Sequence, residues 1–298
     1  MKILILPHIK IHNANALSSP FTIGFPAMTA WLGFTHSLER TLNQSGLEQL
    51  NFCSTAVVSH QFDLQTHKGE GDFVHSIIGT GNPLDKDGSR SAFIEEARCH
   101  LDVSLVIEYE GNESDLEEEN IQQLIYSSIL RMKVASGDVL NVHKPIIKTI
   151  DENNEQETTG ILRQLMPGYV LIERRDLMME AMDEGNDALD AMLSYLTVYH
   201  SCQQQDDSIV WESHRKSSGW IVPIATGFQG ISELGKAKNQ RDPDVPHRFA
   251  ESIVTLGEFV MVHKIKHLDE MLWHYFPDLD NDLYICQQNN FIQEHELS

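Results

Sequence analysis

Apolar and polar residues alternate over 2–12, which assigns Ile3, Ile5, Ile9 and Ile11 to one face and Lys2, His8, Lys10 and His12 to the other. That two-residue period predicts a strand with one core face and one polar, partly cationic face. A small-polar loop, 13–20, follows. Helical spacing of Ala30, Trp31, Phe34, Leu38 and Leu42 predicts a helix over 27–43. A strand is expected at 55–64, then a long glycine-bearing loop or hairpin at about 65–92. Leu101, Val103, Leu105, Ile107 and Tyr109 give another strand, and an acidic start with Ser114 as N-cap opens a helix reaching about Val134. Residues 150–160 read as a flexible connection and 165–173 as a strand interrupted by Pro167-Gly168. One or two acidic helices are expected at 176–200, a strand at 219–224, a basic loop at 235–246, helical pattern over 247–275 and a final strand at 283–292.

The order strand–helix–strand–hairpin–strand–helix over 1–140 predicts an α+β fold. Its core is a ferredoxin-like, RRM-like βαββαβ unit with the glycine-rich hairpin inserted at about 65–92. Residues 141–298 form a second part with a helical insertion at about 176–207, its other strands and helices packing on the core. The sheet of such a unit is helix-covered on one face and free to bind on the other.

Charge complicates a nucleic-acid reading. The chain of 298 residues carries a formal net charge of −22, a global field that repels polyanions. The excess is concentrated in 111–208, which holds 19 acids and 7 bases. A local cationic groove remains possible at either end. No run reaches the roughly 18 apolar residues of a spanning helix. The first residues, Met1–Pro7, are too short an apolar run for a signal peptide. A cytoplasmic protein is expected. Cys53, Cys99, Cys202 and Cys286 are scattered without a Cys-x-x-Cys pair, which suits reduced thiols rather than zinc or disulfides.

No phosphate-binding Gly-x-x-x-x-Gly-Lys-[Ser/Thr], Gly-x-Gly-x-x-Gly or Gly-x-Ser-x-Gly motif is present. His263 and His267 have metal-ligand spacing, but Lys264 stands where a zinc hydrolase needs Glu, so a solvated basic face is the better reading. His36 with Ser18 or Ser19 would be the raw material of a metal-free nuclease, which spacing cannot test. Neither a metal nor a cofactor is expected. Phosphate-binding candidates are stronger: Asn13, Asn15, Ser18 and Ser19 in the first loop, Lys86 and Arg90 on the glycine-rich tip, Arg241 and Arg248 in the late loop, and His8, Lys10 and His12 on the first strand. For each loop an ordinary capped or solvated turn competes. Phe21, Phe25 and Trp220 are candidates to stack on bases, with Trp31 assigned to the core.

The blocks Asn13–Pro20 with Gly24-Phe25-Pro26, Asn82-Pro83-Leu84 with Asp87-Gly88-Ser89, Arg98–Leu105, Leu165–Gly168, Gly219–Ile224, Arg241-Asp242, Arg248-Phe249 and Leu256-Gly257-Glu258 resemble the Csy-two family in order and over nearly the whole chain. Phe259 departs from the Trp expected there. The resemblance implies a RAMP-type, non-catalytic subunit of the type I-F CRISPR surveillance complex. It implies pairing with the large Csy-one subunit, contact with the backbone Csy-three subunit and the 5′ handle of CRISPR RNA, and access to target DNA only through the assembled complex. No membrane role is implied. A metal-independent endonuclease acting on repeat RNA and a protein-only scaffold are the competing readings.

Overall fold

The computed structural model describes residues 1–78, 84, 86–89, 96–112, 116, 118–151, 154–205, 208–240, 242 and 244–288. Eleven strands among them form one sheet. They are β1 (Lys2–Asn15), β2 (Asn51–Leu64), β3 (Arg98–Glu110), β4 (Lys133–Val134), β5 (Gly137–Asn141), β6 (Ile146–Thr149), β7 (Tyr169–Glu173), β8 (Ile221–Gly230), β9 (Ala250–Met261), β10 (Trp273–Asp278) and β11 (Leu283–Gln288). The helices are α1 (Met28–Gln44), α2 (Glu119–Ile129), α3 (Glu155–Gln164), α4 (Arg175–Asp183) and α5 (Ala188–Leu196). Small hairpins join Leu17–Ser19 to Thr22–Ile23, Thr66–His67 to Ser76–Ile77, and Tyr199–Gln205 to Ser208–His214.

The first strands lie in the order β2-β3-β1-β5, antiparallel throughout. Leu4, Leu6, Ile9 and Ile11 of β1 and Val103, Leu105 and Ile107 of β3 pack beneath α1 and α2. On the opposite face Ile3, Ile5, Val58 and Val106 are covered by α3 and by the segment from Val262 to Leu272. The five strands β7-β9-β8-β11-β10 curl round so that both end strands meet β2 along its edge away from β3. Trp273 of β10 pairs with Thr55, and Tyr169 and Val170 of β7 pair with Ser59 and Val58. The indole N–H of fully buried Trp273 donates to the Leu171 carbonyl at 2.9 Å, tying the two ends together. Beside it Glu173 and Gln288 exchange backbone-to-side-chain bonds of 2.8 and 3.1 Å. Burial raises the Glu173 carboxyl, and the Arg175 guanidinium at 2.5 Å pulls the other way.

Several expectations are corrected. The isoleucines of β1 do not share a face, because a bulge at Pro7–His8 inserts one residue between Leu6 and Ile9 and His8 adopts a φ of 49°. An extra residue reverses the alternation beyond it. The face opposite α1 is therefore not wholly free: its Ile3–Ile5 end is core. The loop at 13–20 is the end of β1 followed by a hairpin. Within 150–160, read as a flexible connection, Glu155 onward is the start of α3, whose N-terminus is capped by the Asn154 side chain. α2 stops at Ile129, and Ala135 and Ser136, at φ 47° and 65°, turn β4 into β5. Ser114 lies outside the described residues. The stretch 176–207 is helical only to Leu196, after which Tyr199 begins a hairpin strand. The pattern over 247–275 is β9, two short 3-10 turns and β10 rather than helix. The β-branched run Ile253-Val254-Thr255 suits the long ladder with β8. His263 and His267 thus do not share a helical face. No described helix is long and apolar enough to cross a membrane.

Trp273→Ala removes both a buried ring and the bond that joins the sheet ends. We expect a loss of about 3–5 kcal/mol, read as a lower denaturant midpoint, against a much smaller loss for Trp211→Ala on the exposed hairpin.

Candidate functional site

Beyond Ile5 the α3-side face of the sheet changes character. On β3 the same parity that buries Val106 presents Ser104, Asp102 and His100. On β1 the residues past the bulge are His8, Lys10 and His12, with Lys10 opposite Asp102. β2 contributes His60, the extra residue of a second bulge between Ser59 and Gln61. His143 comes from the loop after β5, its backbone N–H donating to the Pro7 carbonyl at 2.9 Å. Five imidazoles thereby form a ridge. His8 stacks on His60 at 4.2 Å and meets His143 at 4.9 Å, and His12 stacks on His100 at 4.3 Å.

Ser104 sits between the two bulges and fixes both. Its hydroxyl accepts from the His8 backbone N–H at 3.1 Å and stands 2.7 Å from His60 Nε2. The other ring nitrogen of His60, Nδ1, is 2.6 Å from the Pro167 carbonyl, which only accepts. The network therefore assigns the proton to Nδ1 and makes Nε2 the acceptor of the Ser104 hydroxyl. Burial lowers the His60 pKa below its ordinary 6.5, with His8 acting in the same direction against the Pro167 carbonyl and Asp102. His8 Nδ1 lies 2.9 Å from Asp102 Oδ1. His100 Nδ1 accepts from the Asn13 backbone N–H at 3.1 Å.

His60 also borders an apolar cleft of about 280 Å³ where the two parts of the sheet meet. Phe25, Phe62, Tyr169, Trp220 and Phe259 line it. Trp220 packs against Phe259 at 5.1 Å and edge-on to Tyr169 at 5.4 Å, yet its residue surface is 51% exposed.

Of the residues singled out from sequence, His8, Lys10, His12 and Asn13 come together on the ridge. Asn13 accepts from the Gln65 side chain at 2.9 Å. Asn15 closes a local turn with Leu17, Ser18 bonds Thr22, and Ser19 is buried against the Thr22 hydroxyl at 2.7 Å. Lys86 is exposed, and Arg90 and Arg241 lie outside the described residues. Arg248 is ion-paired with Asp282 and lies against Gly230. Gly230 ends β8 at the far end from Ile221 and the cleft, up to about 30 Å along the strand. Trp31 is core, Phe25 is buried, and Phe21 and Trp220 are exposed. Sequence reading missed His60, His100, Asp102, Ser104 and His143. The signal for three of them was present in the parity of β3, running back from Val106. Among the described residues no group of three or more His, Cys, Asp and Glu side chains is arranged to hold a metal.

The model of the family described as CRISPR-associated protein (Cas_Csy2) matches residues 4–286. A relative from Pseudomonas aeruginosa (strain UCBPP-PA14), named CRISPR-associated protein Csy2, is 29% identical over 322 aligned positions, covering 99% of this chain and 98% of its own.

A histidine whose folded pKa lies below its unfolded value binds its proton later than the unfolded chain does as pH falls. Its contribution is complete above the ordinary pKa of 6.5 and is lost below it. Unfolding titrations between about pH 7.5 and 5 should show wild type losing stability toward acid. His60→Gln should be less stable at the neutral end and lose less on acidification.

Proposed function

Because the chain belongs to the Csy2 family, and so to the subunits of the type I-F CRISPR Csy complex, we propose that it holds the 5′ handle of CRISPR RNA along the histidine ridge. It does so without catalysis and beside the large Csy-one subunit, with Csy-three subunits continuing along the guide. Target DNA is then read by base pairing to the RNA, so the protein needs phosphate contacts more than base readout here. The observation that carries the reading is the gathering of Lys10 and five imidazoles on one open sheet face in a chain of net charge −22. The antiparallel order β2-β3-β1-β5, with α1 and α2 on one face, supports reading the first part as a ferredoxin-like RAMP unit. Its binding surface is then the face opposite those helices. The acidic remainder suits docking against basic partners.

In the reassembled complex, Lys10→Ala should weaken handle-RNA binding and flatten its log–log salt dependence by about 0.7 for each phosphate no longer neutralised. His12→Ala should weaken binding through loss of its hydrogen-bonding ring, with a smaller change in slope. Arg248→Ala, already paired with Asp282, should change the slope less. Unchanged affinity and slope in both ridge variants would leave the protein-only scaffold as the better reading.

The His8–Asp102 pair favours the endonuclease alternative, since a carboxylate-held imidazole is a general base in form. His8 is also stacked on His60, and its backbone is pinned to Ser104. We expect repeat RNA incubated with the chain to remain intact. A single specific cut, abolished by His8→Ala, would overturn the non-catalytic assignment.

A further inference from the structure

We infer that the aromatic cleft at the seam of the two sheet parts is a pocket for one unstacked nucleobase of the bound RNA. The inference rests on the proposed RNA-binding role of the ridge and adds a second, chemically distinct element to it.

Three features carry it. The first is the lining. Trp220, Tyr169, Phe62 and Phe259 surround the space, and Trp220 and Phe62 keep 51% and 36% of their surface exposed. Exposed aromatic faces beside a cationic track are the usual means of holding single-stranded bases. The second is rigidity. Trp220 is wedged between Tyr169 and Phe259, and the Phe259 backbone N–H donates to the Trp220 carbonyl at 3.1 Å. The preceding Gly219 has a φ of 108°, and a Cβ there would meet the Glu258 carboxylate, itself paired with Arg174. The ring is therefore placed before any ligand arrives, which lowers the ordering cost of binding. The third is continuity. His60 lines the cleft, and its ring stacks on His8 of the ridge. A base seated in the cleft has its own phosphate delivered to the ridge. At the rim Gln61 offers an amide donor and acceptor for a base edge. An apolar side chain from a partner protein would fill the cleft equally well but would make no use of its link through His60 to the ridge.

The test is an abasic scan. Handle RNAs lacking one base at a time are bound to the reassembled complex containing wild type, Trp220→Ala or Phe62→Ala. For wild type, one abasic position should weaken binding by roughly 5- to 100-fold. Trp220→Ala should weaken intact RNA similarly and lose no more when that same base is missing. Phe62→Ala provides an independent reading should the tryptophan variant fold poorly. Additive losses at every position would overturn the pocket. So would a Trp220→Ala defect in subunit assembly that is the same whichever RNA is used, which would assign the cleft to a protein side chain. If ridge variants flatten the salt slope while the scan is featureless, the cleft is wrong and the handle reading stands. If neither responds, the handle reading itself has failed.

Discussion

The five strands β7-β9-β8-β11-β10 are hydrogen-bonded to the rest of the sheet through a single strand edge, that of β2, and two different strands have to meet on it. β7 takes Val58 and Ser59 of β2 while β10 takes Thr55. Leu171 and Trp273 are both fully buried where the ends meet, and Trp273 donates its indole N–H to the Leu171 carbonyl. An aromatic ring that is fully buried and also hydrogen-bonded gives both apolar burial and polar satisfaction at one point. Glu173, Gln288 and Arg175 surround the same junction. The position of Tyr169 and Phe259 relative to Phe62, and hence the cleft, follows from that closure.

Ser104 has the corresponding part in the ridge. Two bulges, one in β1 and one in β2, lie on either side of it. The first reverses the alternation of β1 and so brings His8 to this face, and the second adds His60, which keeps the parity of Ala56 and Val58, as an extra residue there. Bulges re-aim side chains at functional edges. Here a single hydroxyl accepts from one bulge and lies at hydrogen-bond distance from the ring of the other. The resulting concentration of cationic and protonatable groups is local. It coexists with a chain whose acids outnumber its bases 44 to 22, because fields at short range are set by neighbours and those at long range by the sum.

Much of the architecture was legible in period and order. Alternation marked β1 and β3, helical spacing marked α1, and the order of elements set the α+β class. What escaped has physical causes. A one-residue bulge leaves no compositional trace, so Ile3 and Ile9 read as one face although they lie on opposite faces. The polar stretch before α3 hid a helix whose buried residues are few, chiefly Thr158, Ile161 and Leu162. β9 reads as helix because its short apolar stretches, Ile253-Val254, Leu256 and Phe259–Met261, satisfy either period. On the site, short polar residues in a sequence block looked available for phosphate, yet Ser19 and Asn15 are consumed by their own turns. His60 and His143 came from segments whose relation to β1 only long-range pairing could reveal.

The shared edge of β2 has a bearing on how neighbours are added to this chain. With β3 on one side and β7 and β10 on the other, the central strand is paired on both edges between Thr55 and Ser59. The outer edge of β1 is likewise occupied, by β5 beside Lys10–His12 and by β6 beside Lys2–Ile5. Extension by an incoming strand is thus closed to the middle of the sheet. Contacts across that region must be made by side chains projecting from its faces, which rewards partners for shape and charge rather than for main-chain register.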